Sequence, residues 1–363
     1  MHKTIYMKVV VAAAMTVAAT VKGEAEVPSS PADSVLSFTL GEVIVDGHRP
    51  QAGVTMLDQS EIVSKGLDRL SSALGILPGL TVRDAGARNE GIFYLRGFDQ
   101  RRVPVFVDGT PVYIPYDASV DIDRLTTATF GEITVEKGMP SVMLGGNAMG
   151  GAVNLVSRKP RGRLELSGEV NTLWNMALNA GTRQPKFYVQ LGADWLKRPD
   201  MRLPHGFRPV EGVQESHKLR NSSTDDFRFT SRFGFTPNAT DEYVIAYSLI
   251  RSDKDVPVYL GEKGKRRYWR YTRWDKDAVR FHSDTRLGGG LRLGTRVFYD
   301  RYYNRLASFD DITMTTQNLK SSFTSIYDDF SAGAAATLRW QSSESNRVSF
   351  GATWKTDLHR SHN

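Results

Sequence analysis

The sequence predicts an α+β unit followed by an antiparallel transmembrane β-barrel, incomplete, with about nine strands present. Three observations predict it. Residues past 160 alternate apolar and polar side chains. The links between the alternating segments are short and long in turn. The first 25 residues have the layout of an export signal.

Composition narrows the field first. With 24% charged residues and mean hydropathy of −0.35, the chain lacks the long uncharged runs of a helical membrane protein. With 17 Phe and 14 Tyr it is too aromatic for a disordered chain. It has no cysteine, hence no disulfide and no thiolate metal site. The formal charge of +7 would suit nucleic acid, but an exported chain rarely meets it, so the charge points to a sugar, a phosphate or an anionic ligand.

Residues 1–8 carry Lys3 and Lys8, and residues 9–21 (VVVAAAMTVAATV) are uncharged. Gly23 and Ala25 are small residues spaced for cleavage after Ala25, so residues 1–25 read as a secretory signal peptide. The run is too short to cross a bilayer as a helix. Residues 26–40 hold two prolines and four serines and read as a mobile tether. A β-prone segment, Glu42-Val43-Ile44-Val45-Asp46-Gly47, follows and has the character of a strand that pairs with a sheet edge.

Residues 41–160 read as the α+β unit. Helices are expected over 58–65 and 68–77, the second with Leu70, Ala73, Leu74 and Leu77 on one face. Asp58 and Glu61 are placed for a capping box, and Pro78-Gly79 ends the second helix. Short strands are expected at 80–83, 92–96, 104–107, 131–136 and 152–157, with a turn at Asp108-Gly109 and a glycine-rich bend over 145–151. No nucleophile elbow, phosphate-binding loop or H-E-x-x-H is present, so no catalytic residue, cofactor site or metal site is assigned and the chain is not expected to be an enzyme. Asp117, Asp121 and Asp123 lack the Gly and Glu of a calcium loop and read as turn and cap residues. His359 and His362 read as solvated polar residues.

Three stretches carry a resemblance: Ile76–Val82; Tyr94-Leu95-Arg96-Gly97-Phe98 leading into Arg102–Tyr113; and Gly131–Ser157. In this order and spacing, over about 120 residues, they resemble the plug domain of TonB-dependent outer-membrane receptors. The resemblance implies that Glu42, Val43, Ile44 and Val45 lie in a Ton box, the strand that pairs with a TonB-type energising protein in the periplasm. It implies ligand-facing plug loops at Asp84–Gly91 and Tyr113–Asp121, hence Arg88, Asn89, Tyr113, Tyr116 and Asp117 as ligand-binding candidates, and Arg96 as a plug–barrel lock. It also implies a location in the outer membrane, with lipid and lipopolysaccharide around the barrel. The implied function is energised uptake of a scarce small molecule, first a ferric siderophore, with cobalamin or carbohydrate as alternatives. A non-transporting β-rich adhesin would share the signal and the strands but give no reason for the ordered motifs.

Past 160, nine strands are expected: 164–173, 175–182, 186–197, 225–236, 242–253, 277–287, 291–303, 328–340 and 347–358. In one of them Phe227, Phe229, Phe233 and Phe235 alternate with Arg228, Thr230, Arg232 and Gly234. A soluble sandwich alternates too, but short links at 183–185, 237–241, 288–290 and 341–346 opposite long ones at 198–224, 254–276 and 304–327 fit an outer-membrane barrel. Arg228, Arg232, Arg292, Arg296 and Arg339 are expected to face a wet interior. The stretch 262–276 (EKGKRRYWRYTRWDK) is expected to be a basic, aromatic extracellular loop able to meet lipopolysaccharide phosphate or an acidic ligand. The resemblance implies a barrel of about 22 strands, so residues 161–363 are expected to be its N-terminal part and the chain a portion of a longer one.

Overall fold

The computed structural model describes residues 53–362 apart from 86–87, 139–146, 173, 262–263 and 344–345. The expected signal peptide, the tether and the segment 42–47 lie outside the described residues.

The N-terminal domain opens with a strand the sequence did not announce, β1 (Val54–Asp58), five residues with only Leu57 buried. Two helices follow, α1 (Gln59–Ser64) and α2 (Leu70–Gly75), each trimmed at both ends relative to expectation. Asp58 caps α1, accepting from the Glu61 amide at 2.8 Å, but the reciprocal half of the box is not made; Glu61 reaches Lys65 instead, at 2.7 Å. Leu70, Ala73 and Leu74 are fully buried, the face the spacing predicted. Then come β2 (Leu80–Ala85), β3 (Glu90–Leu95), β4 (Val105–Val107), β5 (Thr110–Pro111), a 3-10 turn at Ile122–Arg124, β6 (Phe130–Lys137) and β7 (Gly151–Ser157). Strands β2 and β3 form a hairpin of their own, and the others form a sheet in the order β1-β6-β7-β4-β5.

Asp108 and Gly109 join β4 to β5 with φ of 50° and 70°, both positive as a two-residue primed turn requires. Gly109 is needed twice, since a Cβ there would also stand 2.6 Å from Arg296 Nη1.

The second region forms nine long antiparallel strands: β8 (Glu165–Thr172), β9 (Asn175–Arg183), β10 (Phe187–Arg198), β11 (Thr224–Phe235), β12 (Glu242–Asp255), β13 (Trp269–Gly288), β14 (Leu291–Ser308), β15 (Phe323–Gln341) and β16 (Arg347–Leu358). Each pairs with its sequence neighbour, and a short β17 (Ser361–His362) continues the register of β16 along β15. Strands β8 and β16 are its two edges among the described residues. The sheet curls round the N-terminal domain, because strands from one edge to the other touch it. Asn179 of β9 donates to the Ala128 carbonyl at 3.1 Å, Arg228 of β11 to the Thr126 carbonyl at 2.8 Å, Arg296 of β14 to the Gly109 carbonyl at 2.6 Å, and Tyr113 meets Asp357 of β16.

The main correction to the sequence reading is β13. It begins at Trp269 rather than at 277, so half of the stretch 262–276 is strand, not loop. Its Trp, Tyr and Thr residues favour extended backbone, and β12 pairs with it as far as Arg270 and β14 as far as Trp269, so the ladder continues to the start of the strand. A bulge between Tyr271 and Arg273 keeps both Tyr271 and Trp274 buried against the domain.

Side-chain alternation fixes the two faces. Inward, Arg228, Arg232, Arg292, Arg296 and Arg339 are all engaged; Arg292 and Arg339 converge on Asp284 at 3.0 and 2.8 Å. Outward, Phe187 and Leu191 of β10, Phe233 of β11, Ile245 of β12, Val279 of β13, Tyr299 of β14 and Phe350 of β16 are exposed. The outward apolar run of β10, Phe187 to Trp195, spans about 27 Å along the strand. Tilted as barrel strands are, that covers most of an apolar band about 25 Å tall. At the long-loop end, neighbouring strands carry ion pairs across the outer face: Lys197–Asp225 at 4.0 Å, two residues beyond Trp195, then Arg251–Asp277 and Arg301–Asp328 at 2.8 Å, which the strand register sets level with Trp195 and Ala193. Charge thus appears on the outer face of six successive strands, along a line that slants across the register.

Candidate functional site

Two sites arise where the domain meets the inner wall. The first is the floor of the mouth at the long-loop end. Arg88 and Asp117, from separate loops of the domain, pair at 3.2 Å. Asn89, held at φ 52°, donates to the Asp255 carbonyl on β12 at 2.9 Å. Tyr116 is 53% exposed, with its ring 5.3 Å from Tyr327 of β15 and 4.8 Å from His359, just past β16. Tyr327 and His359 meet edge to face at 4.9 Å. His359 Nδ1 lies 2.8 Å from Asp329, whose carboxylate accepts from it and orients the ring. The floor thus presents phenol hydroxyls, an oriented imidazole and a guanidinium within a packed aromatic surface. Trp274 and Tyr302, 5.3 Å apart, tie the wall to the core of the domain.

The second site is a buried charge network. Arg124 is fully buried, and its Nη1 lies 2.6 Å from both oxygens of Asp226 on β11. Its Nε is 3.5 Å from Asp121, which Lys254 of β12 reaches at 2.9 Å. Burial would raise the Asp121 pKa, but Lys254 and Arg124 more than offset it, and the carboxyl sits below its usual range. Asp108 is likewise held low against burial, by Arg232 at 3.2 Å and by Ser157, which donates from both its amide and its hydroxyl. Glu90 goes the other way, raised by burial.

Of the residues singled out from sequence, Arg88, Asn89, Tyr116 and Asp117 come together on the mouth floor. Tyr113 does not: it packs on β16, with Lys355 over its ring at 4.4 Å and Asp357 accepting from its hydroxyl, and borders a cavity of about 270 Å³ between β4–β5 and the wall. Arg96 is exposed in a turn at φ 50° and makes no ion pair among the described residues. Glu42, Val43, Ile44 and Val45 lie outside the described residues. His359 and His362 are both exposed, as read, but the reading missed that Asp329 and two tyrosines hold His359 in place. Reading Asp121 as a cap is right as far as it goes, as it accepts from the Asp123 amide at 3.1 Å, but it misses the buried network. The available signal was the acidic-basic run Asp121-Ile122-Asp123-Arg124 beside apolar neighbours. Among the described residues no three His, Cys, Asp or Glu side chains converge as a metal site.

Comparison with known proteins agrees with this geometry. Residues 48–152 match the family model described as TonB-dependent Receptor Plug Domain. Hemoglobin-haptoglobin utilization protein B of Neisseria meningitidis serogroup C is 31% identical over 136 residues, 32% of this chain and 16% of that protein. Among solved structures, the copper transporter OprC superposes with a TM-score of 0.68 at 15% identity, covering 85% of this chain and 46% of that one. The FrpB iron transporter from Neisseria meningitidis (F3-3 variant) gives 0.67 at 14% identity, over 85% and 49%. The chain therefore spans about half the length of these solved structures and a smaller part of the curated relative. Residues 48–152 are thus similar to a TonB-dependent receptor plug domain, and the sheet that follows shares the antiparallel barrel fold of these solved structures.

Proposed function

We propose that the chain belongs to an outer-membrane receptor that takes up a scarce ligand, first a ferric siderophore, with energy delivered by a TonB-type protein. The observation that carries this reading is the mouth floor, where plug residues Arg88 and Tyr116 meet the wall residues Tyr327 and His359 at the long-loop end. A ligand bound there touches plug and barrel at once, so its binding energy can shift the plug. In this account residues 1–25 export the chain, and Glu42, Val43, Ile44 and Val45 become available for strand addition to the energising protein. Arg88, Asn89, Tyr116 and Asp117 hold the ligand, Tyr113 supports the plug from the wall, and Arg96 serves a lock to a barrel acid. No covalent step is needed. The names of the iron transporters among the structural neighbours support iron as cargo. A second reading, iron from haemoglobin, draws on the printed name of the curated relative and on the aromatic-histidine floor.

The test is a titration of the purified chain in detergent with a ferric hydroxamate, a ferric catecholate, haemin, cobalamin and a maltooligosaccharide, following intrinsic tryptophan fluorescence. Saturable quenching by a ferric chelate, lost in Tyr116→Ala, is expected. Saturation only by cobalamin or the sugar overturns the iron assignment, and saturation by none of the five overturns the receptor reading in favour of an adhesin.

A further inference from the structure

Asp194 of β10 is a buried carboxylate that the docked domain leaves without a partner. It is 2% exposed, and neither of its oxygens accepts a hydrogen bond. A cation stands directly across from it. Asp194 and Arg228 are register partners on β10 and β11, both buried on the inner face. Residues so placed have Cβ atoms about 5 Å apart, within reach of an arginine. Arg228 nonetheless turns to the domain. It donates to the Thr126 carbonyl at 2.8 Å, its guanidinium lies 4.2 Å from the centre of the Phe130 ring, and it forms no ion pair among the described residues. Asp194 faces instead a void of about 20 Å³ that it shares with Asp68 and Glu169. Those two carboxylates have partners, Asp68 in Arg69 at 3.2 Å and Glu169 in Arg158 at 2.8 Å. The Thr126 hydroxyl, on the same void, is unpaired as well.

A buried charge without hydrogen bonds is costly, and the cost lasts only while the group stays buried. When the domain withdraws from the wall, Thr126 and Phe130 leave Arg228 and water reaches β10 and β11. Both ions are then compensated, by each other or by solvent. We propose that Asp194 sets the ease with which the domain leaves the wall. Its uncompensated charge raises the energy of the docked state and not of the released one, in opposition to the Arg124–Asp226 pair that holds the two together. The inference rests on the receptor reading in that uptake requires the plug to move.

The experiment follows proteolysis of the N-terminal domain in the full chain reconstituted in vesicles, in choline chloride with chelator. Protease is kept at concentrations where the cleavage rate reports the released population. Asp194→Asn keeps the shape and removes the charge; it should be cleaved about tenfold more slowly than wild type, with unchanged heat-modifiable gel mobility. Asp194→Ser should also slow cleavage, and serves if the Asn variant fails to insert. Glu211→Gln, which removes the charge of an exposed loop residue, should be cleaved as wild type. Slower cleavage is the opposite of what loss of a stabilising contact gives, so a merely structural role does not produce it. Cleavage of both Asp194 variants at or above the wild-type rate overturns the proposal. So does a wild type that calcium or sodium slows to the rate of Asp194→Asn, because an ion would then fill the void. A wild type that never inserts defeats the barrel account, whereas one that inserts and releases its plug no faster than Asp194→Asn defeats the release penalty alone.

Discussion

Replacing Arg124 by Met tests whether the plug is held to the wall by a compensated charge network. The Arg124 side chain is fully buried and gives Nη1 to both oxygens of Asp226 at 2.6 Å. Without it, Asp121 keeps Lys254 at 2.9 Å, but Asp226 keeps the Ser252 hydroxyl at 2.5 Å and the weaker, more distant charge of Arg198. The penalty therefore falls on one buried carboxylate, and removing one partner of such a pair costs about 3–5 kcal/mol. At the lower bound that is more than about a hundredfold in the docking equilibrium. Asp226→Leu alone should cost a similar amount, because Arg124 is left with Asp121 at 3.5 Å. Exchanging both for apolar residues removes the stranded charge, so Arg124→Met/Asp226→Leu should lie within about 1 kcal/mol of wild type. The assay is urea unfolding of the vesicle-reconstituted chain by tryptophan fluorescence, with limited proteolysis of the plug read in parallel. A loss below about 1 kcal/mol for Arg124→Met, or a double variant as weak as the two singles added, would refute the reasoning.

Three further outcomes are expected. Tyr116→Ala removes two ring contacts, each worth about 0.5–1.5 kcal/mol, and should weaken ferric-chelate binding about tenfold in the fluorescence titration; an unchanged affinity would move the ligand site off the mouth floor. Asp108 and Asp121 have folded pKa values below the ordinary carboxylate value of about 3.9, so their contribution is complete above that pH and fades as pH falls through the lowered values; plug protection from protease should hold from neutral pH to about 4 and fail below, with a shallower acid limb in Asp121→Asn. Leu191→Arg places a charge midway along the outward apolar run of β10 and should cost about 2–4 kcal/mol in vesicles, whereas a solvated sheet face would tolerate it.

How much of this was legible follows from what each feature depends on. The α2 face of Leu70, Ala73 and Leu74, the Asp108-Gly109 turn and the alternation of Phe227–Phe235 are set by neighbours in sequence, so periodicity and turn chemistry find them. The inward arginines were legible for the same reason, since they alternate in sequence with apolar residues of the outward face. What sequence could not supply is partner identity across long separations. Arg124 finds Asp226, and Tyr116 finds Tyr327 and His359, only once the sheet has curled round the plug. Before that, Arg124 is one basic residue in an acidic run and His359 one polar residue after a strand. The start of β13 was missed for a related reason. Basic residues around Trp269–Lys276 read as loop, yet their alternate neighbours Tyr271 and Trp274 are buried by the domain, and that burial decides the backbone. Charge density therefore marked the long-loop end of the sheet but misjudged its secondary structure, because there one face of β13 is still packed against the domain while the other is exposed.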